Sequence, residues 1–140
     1  MAQVQSGARI AINNILYMTD FSQPSEAALP FAASIAREYR AKIYAFHALI
    51  PGVYTTPETA AADLDAQEDD ALTNMQHVNA QLAGLPHETI VERNIGVWPA
   101  LEAAVKDFAI DLIVVGTHGR TGAKRPVSYT HLTLPTILLV

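Results

Sequence analysis

The chain contains no cysteine. Disulfide frameworks, thiol nucleophiles, cysteine zinc sites and iron–sulfur clusters are therefore excluded together. Long apolar runs are also missing: no stretch approaches the roughly 20 residues needed to span a bilayer. The first fourteen residues lack the charged-then-apolar order of a secretory signal. Basic residues are scarce. Nine Lys and Arg stand against fourteen Asp and Glu, a net charge of −5, whereas a nucleic-acid-binding surface wants a basic face. These absences lead to an expectation of a cytoplasmic protein that engages neither membrane nor nucleic acid. Half of the 140 residues are hydrophobic and 16% are charged. That composition builds one globular domain and excludes a disordered chain.

The apolar pattern alternates between two periods. Ile15 to Met18 is a short continuous run, as in a strand buried on both faces. Thr19-Asp20-Phe21-Ser22 then supplies turn chemistry, with Ser22 as a helix cap and Pro24 tolerated in the first turn. From Ser25 to Arg40, Ala28, Leu29, Ala32, Ile35, Ala36 and Tyr39 recur at helical spacing. Lys42 to Ile50 predicts a second strand closed by Pro51-Gly52. Thr56-Pro57-Glu58 opens a second helix, and Gly84 stops it. His87 to Asn94 predicts a third strand and Trp98 to Ala109 a third helix, with Pro99 near its start. Asp111 to Gly116 is a fourth strand that runs straight into Gly116-Thr117-His118-Gly119-Arg120-Thr121-Gly122. Strands alternating with helices predict an α/β fold, an open parallel sheet with helices on both faces. Ligands in such sheets sit beyond the carboxyl ends of the strands, where the strand order reverses.

Two segments at such ends carry chemistry. Gly116, Gly119 and Gly122 allow main-chain amides to approach phosphate oxygens, and Arg120 and Lys124 would add positive charge. The spacing matches neither the P-loop nor the usual dinucleotide fingerprint, so a turn with purely structural glycines stands beside the phosphate reading. Asp20 could accept from an amino or hydroxyl group of a ligand, but capping the following turn is the commoner use of such a residue. The acidic stretch Asp63, Asp65, Glu68, Asp69 and Asp70 reads as a solvated helix face. His47 reads as a packed or hydrogen-bonded strand residue, and Ser22 and Ser25 read as caps. The histidines show no metal-ligand spacing, and neither a nucleophile elbow nor a dedicated general base is visible.

The segments Ile15 to Ser22, Phe46-His47-Ala48, Gly96 with Pro99, and Asp111 to Gly122 occur together, in order, across about residues 8–125. In this the chain resembles the universal stress protein family. The resemblance implies a five-stranded parallel sheet of the adenine nucleotide alpha hydrolase-like kind and a homodimer paired through the last strand. It also implies a stress-response role, in which one branch of the family binds ATP, with magnesium, in a regulatory capacity or with slow hydrolysis. Carried over by residue, it assigns the adenine end to Met18, Thr19, Asp20 and Ala48. It assigns the phosphate and ribose loop to Gly116, Thr117, His118, Gly119, Arg120 and Thr121, with Thr130 at a later hydroxyl position. The glycine that the family loop carries nine residues beyond Gly119 is absent, because Tyr129 stands there. Residues 126–140 depart from the family pattern. They hold Pro135 and many β-branched residues in place of a last helix, so that helix is expected to be missing or altered, while Thr136 to Val140 could serve as the last strand. The whole chain is thus expected to be a single domain with an atypical tail. The alternative of another class is a dimerising interaction module that binds no nucleotide.

Overall fold

The computed structural model describes residues 10–52, 56–116 and 136–140. Its elements run β1 (Asn14–Met18), α1 (Gln23–Tyr39), β2 (Lys42–Leu49), α2 (Pro57–Gln81), β3 (His87–Arg93), α3 (Val97–Asp107), β4 (Leu112–Val115) and β5 (Thr136–Leu139). The five strands form one sheet in the order β3-β2-β1-β4-β5. Every neighbouring pair is parallel. Met18 at the end of β1 faces Phe46 of β2 on one side and Val115 of β4 on the other.

Right-handed crossovers dictate which face each helix covers. The chain walks outward from β1 to β3, then returns past β1 to β4, so α3 must lie opposite α1 and α2. The core follows this division. Ile15, Tyr17, Ile43, Ala45, Leu112 and Val114 pack against Ala28, Leu29, Ala32 and Ala36 of α1 and Met75 and Val78 of α2. Leu16, Phe46 and Ile113 pack against Ala100, Leu101 and Ala104 of α3. Burial on both faces explains why the central strands read as continuous apolar runs. The segment in which the family's last helix is expected to be missing or altered falls within residues 117–135, outside the described residues, whereas β5 pairs with β4 through Thr136 to Leu139.

The local signals that set the helix ends are visible as bonds. Ser22 caps α1 by accepting from the Ser25 amide, and Thr56 caps α2 by accepting from the Thr59 amide at 3.1 Å. Gly84 follows α2 with φ +92°, a conformation that glycine reaches without a Cβ penalty. Two features of α1 differ from its sequence pattern. Tyr39 is exposed at the end of the expected stripe, because α1 ends there and Arg40 turns left-handed at φ 56°. Pro30 sits inside the helix on the exposed side. The acidic face of α2 is only partly a solvated one. Arg93 on β3 pairs with Asp65 and Glu68 at 2.7 Å each. All three side chains remain solvent-accessible, and such surface pairs contribute little. Arg93→Gln is therefore expected to leave the thermal midpoint nearly unchanged; a clear fall in a melting scan would mean that this cluster holds α2 to the sheet.

Candidate functional site

The sheet order reverses between β1 and β4, so the crevice beyond their carboxyl ends is where a ligand is expected. A cavity of about 230 Å³ lies there. Met18, Ala48, Val97 and Val115 give it apolar walls, and Thr19, Asp20, Ser25, His47 and Gly116 add polar groups and exposed main chain. Larger clefts of about 290 and 430 Å³ lie on the outer side of α1 and between α2 and β3. Neither sits at the strand ends, so size does not make them the better candidates.

The turn from β1 into α1 builds the polar side. The Thr19 amide donates to the Phe46 carbonyl at 3.0 Å, continuing the β1–β2 pairing by one residue. Thr19 Oγ1 then accepts from the Phe21 amide at 2.9 Å, and Asp20 Oδ1 accepts from the Ser22 amide at 2.9 Å. Side-chain-to-main-chain bonds of this kind are what Thr and Asp bring to turns. Between them Phe21 is held at φ 63°, a region that costs a residue with a Cβ roughly 1–2 kcal/mol. Its ring lies 4.6 Å from that of His47, and His47 Nδ1 lies 2.7 Å from the Thr19 carbonyl. A carbonyl can only accept, so Nδ1 carries the hydrogen. His47 therefore braces the turn from β2, as well as lining the cavity.

Asp20 receives a second bond on the same oxygen, from Ser25 Oγ at 2.7 Å. Partial burial pushes its carboxyl up, but the hydrogen bonds from Ser22 and Ser25 outweigh this and hold it below the usual carboxylate value. Asp20 is thus an ionised acceptor at neutral pH. Beneath it, the buried Tyr17 hydroxyl donates to the Ser25 carbonyl, and burial pushes that phenol up, keeping it protonated.

Gly116 brings the mouth of β4 against this turn. A Cβ placed on it would lie 2.1 Å from the Pro24 carbonyl oxygen and 2.8 Å from the Ser25 amide nitrogen. Its φ is not left-handed, so the requirement is for space: the end of β4 abuts the main chain of the first turn of α1.

Of the residues singled out by sequence, Met18, Thr19, Asp20, Ala48 and Gly116 come together around this one cavity. Thr117, His118, Gly119, Arg120, Thr121 and Thr130 lie outside the described residues. Ser25, Val97 and Val115 also line the cavity and were not singled out as ligand-facing. Val115 was legible as the last residue before the glycine loop. Val97 reaches the cavity through the fold-back of α3, which no local pattern announces. Among the described residues there is no group of three or more His, Asp or Glu side chains placed to hold a metal ion. No helix among them is long and apolar enough to cross a membrane.

Comparison with known proteins gives a consistent picture. The model of the Universal stress protein family matches residues 11–128. A search of curated proteins finds no match. Among solved structures, a protein from the universal stress protein family of Burkholderia pseudomallei superposes with a TM-score of 0.77 at 20% identity, covering 92% of this chain and 96% of that one. A universal stress protein in complex with cAMP superposes at 0.67 with 22% identity, covering 94% and 98%. A universal stress protein family protein from Arabidopsis thaliana with AMP bound superposes at 0.61 with 17% identity, covering 91% of each chain. At these identities the likeness is one of fold.

Proposed function

Because the chain belongs to the universal stress protein family, we propose that it is a stress-response protein that binds an adenine nucleotide, ATP among them, in a regulatory role. The observation that carries this reading is the meeting of Asp20 from the mouth of β1 and Gly116 from the mouth of β4 at one cavity. The apolar walls suit a base or sugar face, and the ionised Asp20 suits an amino or hydroxyl donor. The phosphates are assigned, from the sequence, to the loop Gly116 to Thr121, with Thr130 beyond it. Magnesium would travel with those phosphates and water rather than in a protein cage, since Asp20 is the only acidic side chain lining the cavity among the described residues. Two relatives of the fold, one with cAMP and one with AMP, add support to an adenine nucleotide. Nucleotide binding requires no dedicated catalytic group, and the reading includes none.

Titration calorimetry with ATP, ADP and AMP, with and without magnesium, tests this directly. Saturable heat with at least one of them is expected. Absence of heat at millimolar nucleotide would leave the second reading, a dimerising module without a ligand. One observation favours that alternative: the first glycine of the loop is already accounted for by its packing on Pro24 and Ser25. In both readings β5 lies at the edge of the sheet, and pairing of two copies along it would remove that edge. Light scattering with and without nucleotide separates a ligand-independent dimer from a ligand-dependent one.

A further inference from the structure

Ser25 occupies the third helical position of α1, where a capping box would place Glu or Gln to reach back to the amide of the cap residue. Here that amide, Ser22 N, is taken by Asp20 Oδ1 at 2.9 Å. The Ser25 amide is taken by Ser22 Oγ at 3.4 Å. The cap is therefore complete without the Ser25 hydroxyl. That hydroxyl nevertheless belongs to a buried residue, 4% exposed, on the cavity wall. It donates to Asp20 Oδ1 at 2.7 Å and lies 3.3 Å from both the Asp20 amide and Ser22 Oγ. Oδ1 is thus held by two donors, and among the described residues no hydrogen bond gives Oδ2 a donor of its own.

We propose that Ser25 is a positioning residue for ligand binding: its hydroxyl pins Oδ1 of Asp20, leaving Oδ2 to accept from a hydroxyl or amino group of the ligand. The proposal rests on the nucleotide reading above for the identity of that ligand. It deepens that reading by dividing the carboxylate between a structural oxygen and a recognition oxygen. A carboxylate fixed in this way selects a neutral donor and repels an anion, so the nucleoside end of a nucleotide lies at Asp20 and the phosphates lie away from it. The hydrogen bonds that lower the Asp20 carboxyl act in the same direction. The other titratable groups near the turn are Tyr17 on β1, Glu26 on α1, His47 on β2 and, in the cleft behind the turn, His77 on α2. The walls contributed by α3 and β4 among the described residues are Val97, Val115 and Gly116, which carry no charge.

Ser25→Ala keeps the main-chain cap and removes only the hydroxyl, so it is expected to fold. The first measurement is the carboxyl-carbon NMR titration of Asp20 in the ligand-free protein, native and Ser25→Ala. The Asp20 midpoint is expected to move upward in the variant. An unchanged midpoint overturns the proposal whatever the nucleotide does. The second is ATP affinity across the acid range. Ser25→Ala is expected to weaken binding about three- to tenfold, the effect of one hydrogen bond, and to move the acid limb of the profile upward with the Asp20 midpoint. In an Asp20→Asn background the same change is expected to cost little more. An equal loss there would mean that Ser25 does not act through Asp20, and would also overturn the proposal. If the native protein binds no nucleotide while the Asp20 midpoint still moves, the pinning stands and the nucleotide reading alone fails.

Discussion

Gly116→Ala is expected to destabilise the protein by about 3 kcal/mol or more, at or above the upper end of the usual cost of overpacking. The reason is the identity of the obstacle. The added methyl group would meet the Pro24 carbonyl oxygen at 2.1 Å and the Pro24 carbonyl carbon at 2.5 Å. Both are main-chain atoms in the capped first turn of α1, and neither can rotate away as a side chain would. Relief requires β4 to withdraw from α1, or α1 to tilt, and either movement disturbs the buried layer of Val114 against α1. For a domain of this size the fall in thermal midpoint is roughly 10 °C. A melting scan that places the variant within a degree or two of the native protein would show that the two elements are not in contact. The same substitution bears on function, because separating β4 from α1 also separates the two corners of the cavity.

Asp20→Ala is the substitution expected to affect ligand binding most. An ionised acceptor contributes about 1.5–3 kcal/mol through one hydrogen bond, so ATP affinity is expected to fall roughly ten- to a hundredfold. Stability is affected in a different way. Because the folded carboxyl lies below its usual value, the unfolded chain binds its proton more readily than the folded one. The contribution of Asp20 is therefore fully present above the unfolded pKa and is lost as pH falls through the lower, folded one. Asp20 is largely in water, so this share is small and appears only at the acid end of a stability curve. Asp70→Ala, on the exposed face of α2, provides the comparison: its ATP affinity is expected to match the native protein. Equal losses at Asp20 and Asp70 would point to overall charge instead of a placed carboxylate.

The parts of this fold that local chemistry controls were legible in the sequence. β4 was readable because it is buried on both faces, and Leu112 to Val115 carry nothing polar. The start of α2 was readable because a hydroxyl cap followed by proline has few other uses. The last strand, Thr136 to Leu139, was readable from its branched residues after Pro135. What escaped were pairings made across sequence. Arg93 reaches Asp65 and Glu68 from 28 and 25 residues away, so an acidic run looked merely solvated. His47 was read as packed or hydrogen-bonded; that it bonds the Thr19 carbonyl depends on the β1–β2 register. Asp20 presented a choice between turn former and ligand acceptor, and the turn was favoured. The geometry shows that one oxygen can serve the turn while the residue still lines the cavity. Ser25 was read as a cap, and its amide is indeed capped, but the destination of its hydroxyl follows only from the tight winding of the turn around Phe21.

The most direct test is a titration of the isotope-labelled protein with ATP, followed through its backbone amide signals. Saturable movement concentrated on Met18 to Asp20, Ala48 and Gly116, with α2 and β3 left still, is the predicted result. Movement confined to the groove between α2 and β3, or none at millimolar ATP, would contradict it.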